Sequence, residues 1–195
     1  MELEERIVNL FHNSMDTNAH TIEQYTPMIA HASELMLASL ANELKIVCVG
    51  NGGSSALAQH FSALLLSRFR NDRPGLPAIT VGADSAVLTG IAEESSFSEV
   101  YSKQIRAIGQ PGDVLLVISN QGRSNSLVQA IQAAHDRDMV VVAITGHDSS
   151  NISALLRPHE VEICVPSDDN AMIYSAHLLV LHCLCDLIEY QLFGA

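Results

Sequence analysis

Ile46-Val47-Cys48-Val49-Gly50-Asn51-Gly52-Gly53-Ser54-Ser55 runs from an unbroken apolar stretch through a glycine-rich turn into a helical pattern over 54–69. Four consecutive apolar side chains leave no polar face, the mark of a strand covered on both sides in a parallel sheet. Glycines at the turn permit positive φ and close approach of the backbone to a ligand. The unpaired N–H groups that open the helix then face any anion placed there. Asn51, Gly52, Gly53, Ser54 and Ser55 are therefore candidate anion-binding residues, against the plainer alternative of a strand-to-helix turn capped by serine. The third glycine and distal acidic residue of a dinucleotide fingerprint are missing, and no Gly-Lys-Ser phosphate loop occurs.

The pattern recurs down the chain. A second apolar run, 114–118, ends in Ser119-Asn120-Gln121-Gly122-Arg123-Ser124 before a helical pattern over 124–137. A third, 140–144, leads into Thr145-Gly146-His147-Asp148, where a turn before a short helix is the simplest reading and no chemical role is assigned. Weaker strands fit 78–81 and 161–165, and further helices fit 85–107 and 170–192. Alternating strand and helix predict an α/β fold: a flavodoxin-like, three-layer α/β/α sandwich on a five-stranded parallel sheet. In such a sheet ligands bind beyond the carboxyl ends of the strands where strand order reverses. Loops 50–55 and 119–124 can thus share one small phosphorylated ligand, held by Ser119, Asn120, Gln121 and Ser124 from the second loop, with Arg123 able to add a charge-assisted contact.

Residues 1–43 form a helical prelude to the core over 44–195. Ile7, Leu10, Phe11 and Met15 make one apolar set and Ile29, Ala32, Met36 and Leu40 another, with Pro27 predicted to divide two helices. These helices are expected to pack subunits together within a single domain spanning 1–195. At 195 residues, 48% hydrophobic and 16% charged, the chain is too apolar for disorder and long enough for one full core. A net charge of −12 with scattered lysines and arginines argues against direct nucleic-acid binding. Cys48, Cys164, Cys183 and Cys185 lie in apolar runs without metal-site spacing, as buried free thiols do. With no signal-like amino terminus and no apolar segment judged long enough for a membrane span, a cytoplasmic location is expected.

Gly50-Asn51-Gly52-Gly53-Ser54 followed by Ala58-Gln59-His60-Phe61, then Ile118-Ser119 with Gly122 and Ser124, resembles the sugar isomerase (SIS) domain family over nearly the whole chain. Arg73-Pro74-Gly75-Leu76-Pro77-Ala78-Ile79 and His182-Cys183-Leu184-Cys185-Asp186-Leu187-Ile188 look like the branch holding bacterial phosphoheptose isomerase and the DnaA initiator-associating protein. The resemblance implies a homotetramer with sugar-phosphate sites between subunits and, in isomerase members, sedoheptulose 7-phosphate as substrate. It also implies catalytic histidines at His60 and His182, which are the candidate zinc ligands as well.

Six positions depart from the isomerase pattern; three are Asn120, Gln121 and Arg123 in the second loop, which in the isomerases reads Ser-Thr-Ser-Gly-Asn-Ser. Where the family's isomerases carry Glu, one helical turn after His60, this chain has Leu64; their Gln corresponds to Tyr174, and their loop Asp to Glu94. An alkyl side chain neither accepts a proton nor offers a lone pair to a metal. On these grounds the expected function is a non-catalytic, phosphosugar-binding regulatory scaffold with DnaA as a partner and no membrane association. The alternative is a sedoheptulose 7-phosphate isomerase.

Overall fold

The computed structural model describes residues 2–194; Met1 and Ala195, the ends of the expected domain, lie outside the described residues. The apolar runs become the strands β1 (Ile46–Gly50), β2 (Ala78–Thr80), β3 (Val114–Ser119), β4 (Val140–Gly146) and β5 (Val161–Val165). They pair in parallel in the order β2-β1-β3-β4-β5. Every residue of β1 and β3 is buried, which is why their sequences carry no polar alternation. Strand order reverses between β1 and β3, and their register sets Gly50 beside Ile118. The two candidate loops therefore leave the sheet next to each other at its switch point.

The helices are α1 (Leu3–Ala41), α2 (Gly53–Leu66), α3 (Ser85–Glu94), α4 (Ser102–Ile108), α5 (Asn125–Asp136), α6 (Ser150–Ser153) and α7 (Asn170–Phe193). Ile46, Cys48, Leu116, Ile118 and Ile144 face a core shared with α1, α2 and α7. The alternate residues Val47, Val49, Leu115, Val117 and Ala143 face α4, α5 and α6, with α3 at the margin. The expected three layers follow from this alternation.

The helix expected over 54–69 ends at Leu66 and the strand expected over 78–81 at Thr80, and two other expected helical stretches are divided differently. The pair of helices around Pro27 is one 39-residue helix with the proline inside it. A proline lacks the N–H that would meet the carbonyl four residues back, and Glu23 is exposed, so water can satisfy that group. Packing on α7 and β5 keeps the two halves collinear enough to count as one element. The helix over 85–107 is instead broken between α3 and α4, where a 3₁₀ turn (Phe97–Glu99) intervenes. Ser96 and Ser98 share a 2.6 Å hydroxyl hydrogen bond there, and serine side chains compete with helical backbone bonding.

A further correction concerns α7. It is long and apolar enough to cross a membrane by length and composition, yet half of the qualifying stretch is buried inside the domain. It is a core helix, docked on the sheet by His177. Fully buried, His177 donates from Nε2 to the Thr145 carbonyl at 3.0 Å, leaving Nδ1 without a protein partner. Burial lowers its pKa to about 4, against the partial restoring effect of that carbonyl. Because the folded state resists protonation below the ordinary value of 6.5, stability is complete above pH 6.5 and lost as pH falls toward 4. Urea unfolding is expected to show a loss of about 3 kcal/mol across this window that His177→Gln reduces. Equal losses in both proteins would exclude His177 as the source.

The cysteines are free; Cys48 and Cys185 are buried, while Cys164 and Cys183 are only half-buried. Burial raises the Cys48 thiol and pushes Cys185 up to about 12, so both remain neutral thiols.

Candidate functional site

Asn51, Ser54, Ser119, Asn120, Gln121, Arg123 and Ser124 line one cavity of about 290 Å³ at the carboxyl ends of β1 and β3. Asn51 ties the two loops together, its Nδ2 donating to Ser124 Oγ at 2.8 Å and to Ser126 Oγ at 3.2 Å. Tyr101, nearly buried, donates its hydroxyl to the Gly50 carbonyl at 2.7 Å and stands 2.9 Å from Asn51 Oδ1. The Gly122 N–H donates to Ser119 Oγ at 3.0 Å, and Asn120 Nδ2 to Asn170 Oδ1 at 2.8 Å. The walls are thus oriented amides and hydroxyls.

Ser54 stands apart within this set. It is 1% exposed, and its hydroxyl has no hydrogen-bond partner in the protein. A buried hydroxyl without a partner costs roughly 1–3 kcal/mol, and a ligand in the cavity would supply the missing acceptor or donor.

Three predicted binders lie outside the lining. Gly52 turns the chain at φ +55°, and Ser55 Oγ accepts a long 3.4 Å bond from Gln59 Nε2. Gly53 is overlain by Tyr174: an added Cβ would come within 2.9 Å of Tyr174 Cζ. Sequence reading missed Ser126, Tyr101 and Asn170. Ser126, two residues beyond a predicted binder, carried the only local signal.

Farther along α2 and α7 the two candidate histidines meet. His60 Nε2 and His182 Nε2 are 3.1 Å apart, a distance that fits one N–H donating to one lone pair. Burial, then His60, then Arg70, together hold His182 below the usual imidazole pKa. Phe69 covers the other side of His182 with ring centroids 5.5 Å apart. Leu64 is half-buried and packs against the core, and Glu94 ends α3 with its side chain exposed.

Zinc does not fit this donor set. The converging Nε2 atoms of His60 and His182 offer two donors, but Leu64 supplies no lone pair and no cluster of three His, Cys, Asp or Glu occurs among the described residues, so the donor set of a tetrahedral site is not assembled there.

Residues 10–146 match the family model described as the SIS domain. The chain is 50% identical over 195 residues to the phosphoheptose isomerase of Chromohalobacter salexigens, covering 100% of this chain and 99% of that one. Among solved structures, the phosphoheptose isomerase of Neisseria gonorrhoeae superposes with a TM-score of 0.91 at 39% identity, over 96% of this chain and 99% of that one. That of Francisella tularensis does so with a TM-score of 0.93 at 37% identity, over 96% and 98%. Full-length similarity at this level to proteins named as isomerases overturns the expected non-catalytic scaffold and favours the alternative. With the five-stranded parallel sheet, the paired loops and the match over residues 10–146 in agreement, the chain belongs to the SIS domain family.

Proposed function

We propose that the chain is a sugar-phosphate isomerase that converts sedoheptulose 7-phosphate to an aldoheptose 7-phosphate. The observation that carries the reading is the alignment of two half-sites along one pair of helices. Six residues of α2 separate Ser54 from His60, about 9 Å at 1.5 Å per residue. Alongside, α7 sets Tyr174 over Gly53 and His182 against His60. A phosphate in the serine-lined cavity would direct the far end of an extended heptose toward the histidines.

The reaction moves a proton between C1 and C2 through an enediol. A base removes the C1 proton, the carbonyl oxygen at C2 gains one, and the reverse sequence at the neighbouring carbon completes the aldose. With Leu64 in place of a carboxylate, the histidine pair supplies both functions once the substrate inserts between the rings and replaces their mutual hydrogen bond: the freed Nε2 lone pair of neutral His182 accepts the C1 proton, and the Nε2–H of His60 donates to the C2 oxygen. The exposed apolar side chains of α1, Leu3, Ile7, Leu10, Phe11 and Met15, each more than half exposed, support packing against further copies of the chain.

Incubation with sedoheptulose 7-phosphate, following aldoheptose phosphate by NMR, tests the reading; binding without turnover would overturn it. The cavity is tested separately. Ser54→Ala is expected to leave thermal stability unchanged or slightly raised, since it removes an unpartnered buried hydroxyl, while weakening sugar-phosphate binding roughly tenfold. Unchanged affinity by calorimetry would place the phosphate elsewhere.

A further inference from the structure

Arg123 is the only cationic side chain among the described residues lining the serine cavity. It also lines a neighbouring polar cavity of about 220 Å³ together with His147, Asp148, Asp168 and Asn170. Between the two it is held by an ion pair from Nη2 to Asp148 Oδ2. The loop after β4, to which sequence reading assigned no role, is thereby brought against the loop after β3. Their closeness is built into the backbone: Gly122 has φ +58°, and a Cβ there would fall 2.4 Å from Ser149 Cα.

The charge balance makes this arrangement informative. The protein carries −12 overall, and the remaining lining of the serine cavity consists of neutral amides and hydroxyls. A phosphate dianion needs a compensating charge more than it needs another neutral donor. Arg123 is 68% exposed and Asp148 42% exposed, so their pair is worth little in water and can be exchanged at small cost. Asp148, once released, remains solvated.

We propose that Arg123 is a phosphate-contacting, specificity-determining residue that exchanges partners, leaving Asp148 for the phosphate group of the bound sugar. The inference rests on the proposed sugar-phosphate site and adds two features to it: preference for a dianionic ligand, and a competing carboxylate that sets affinity. Ligand binding is then coupled to the segment after β4, which loses its ion pair when the cavity fills.

Calorimetric titration of the full-length protein with sedoheptulose 7-phosphate, and separately with inorganic phosphate, tests it. Arg123→Gln is expected to weaken both ligands roughly 10- to 100-fold. Asp148→Asn, which removes the competitor, is expected to tighten both roughly three- to fivefold. The gain from Asp148→Asn should disappear in the Arg123→Gln background, because it acts through the arginine. If the gain persists there, Asp148 acts only by its own charge and the exchange is refuted. If the single variants both bind as the parent does, Arg123 does not reach the phosphate and this inference alone fails. If the parent binds neither ligand, the sugar-phosphate site fails with it. Unchanged thermal midpoints in all variants would show that each reports on binding rather than folding, as their exposure leads one to expect.

Discussion

His182→Ala is expected to lower kcat for sedoheptulose 7-phosphate by about 10²–10⁴, the range lost when a positioned general base is removed. Affinity for the sugar phosphate should change little, because the binding residues belong to the loops after β1 and β3, about two helical turns away along α2. His60→Ala should produce a loss of similar kind, since the 3.1 Å contact makes each imidazole the partner that sets the other's tautomer. The two effects should be strongly non-additive, as for groups that act as a unit. The pH profile carries an independent signature. His182 is depressed below 6.5 by burial, His60 and Arg70, so the base form persists to lower pH and the acid limb of kcat/KM should fall below pH 6.5. An acid limb above 6.5, or full activity in His182→Ala, would move the chemistry away from this pair.

Leu64 and Tyr174 give that prediction its weight. Both were recognisable in the sequence as departures from the isomerase pattern. What they did not justify was the step from an altered site to no catalysis. Leu64 takes a position one turn beyond His60 that packs on the core, and Tyr174 lies over Gly53 at the phosphate end; neither displaces the histidines from each other. A single missing carboxylate is local information, whereas similarity spread over the whole chain reflects the entire scaffold.

The strands were legible because a run such as 114–118 has no polar residue to offer solvent, and only a doubly covered parallel strand accommodates that. Alternation of β and α elements made the parallel sheet legible, whereas the strand order that places the switch point between β1 and β3 came from the structure. Contacts between distant charged residues were not legible. Arg123 and Asp148 are separated by a helix and a strand, and neither lies on a periodic face. Pro27 misled for the opposite reason: its local signal is strong, yet tertiary packing on α7 carried the helix through it.

Glu189→Ala should destabilise the fold by about 3–5 kcal/mol, the usual consequence of leaving a buried charge without its partner. Glu189 and Arg73 are 2% and 1% exposed and meet at 2.7 Å. The carboxylate also accepts the N–H groups of Phe69, Arg70 and Asn71 at 3.0–3.3 Å and Asn71 Nδ2 at 3.1 Å. Arg73 in turn donates to the carbonyls of Leu64, Leu65 and Pro74. Burial alone would raise the Glu189 pKa, but these backbone donors and the Arg73 guanidinium outweigh it and hold it below the usual value. Stability from this network is therefore present above about pH 4.5 and lost as pH falls through the depressed folded pKa. The same loop presents Phe69 and Arg70 to His182, so a milder change, Glu189→Gln, should shift the acid limb of turnover as well as the unfolding midpoint. The paired replacement Arg73→Met with Glu189→Leu separates the two roles, since apolar substitutes of similar volume often restore stability where a broken pair does not. Recovered stability with an acid limb still displaced would assign the network to positioning His182. Recovery of both would assign it to the fold alone.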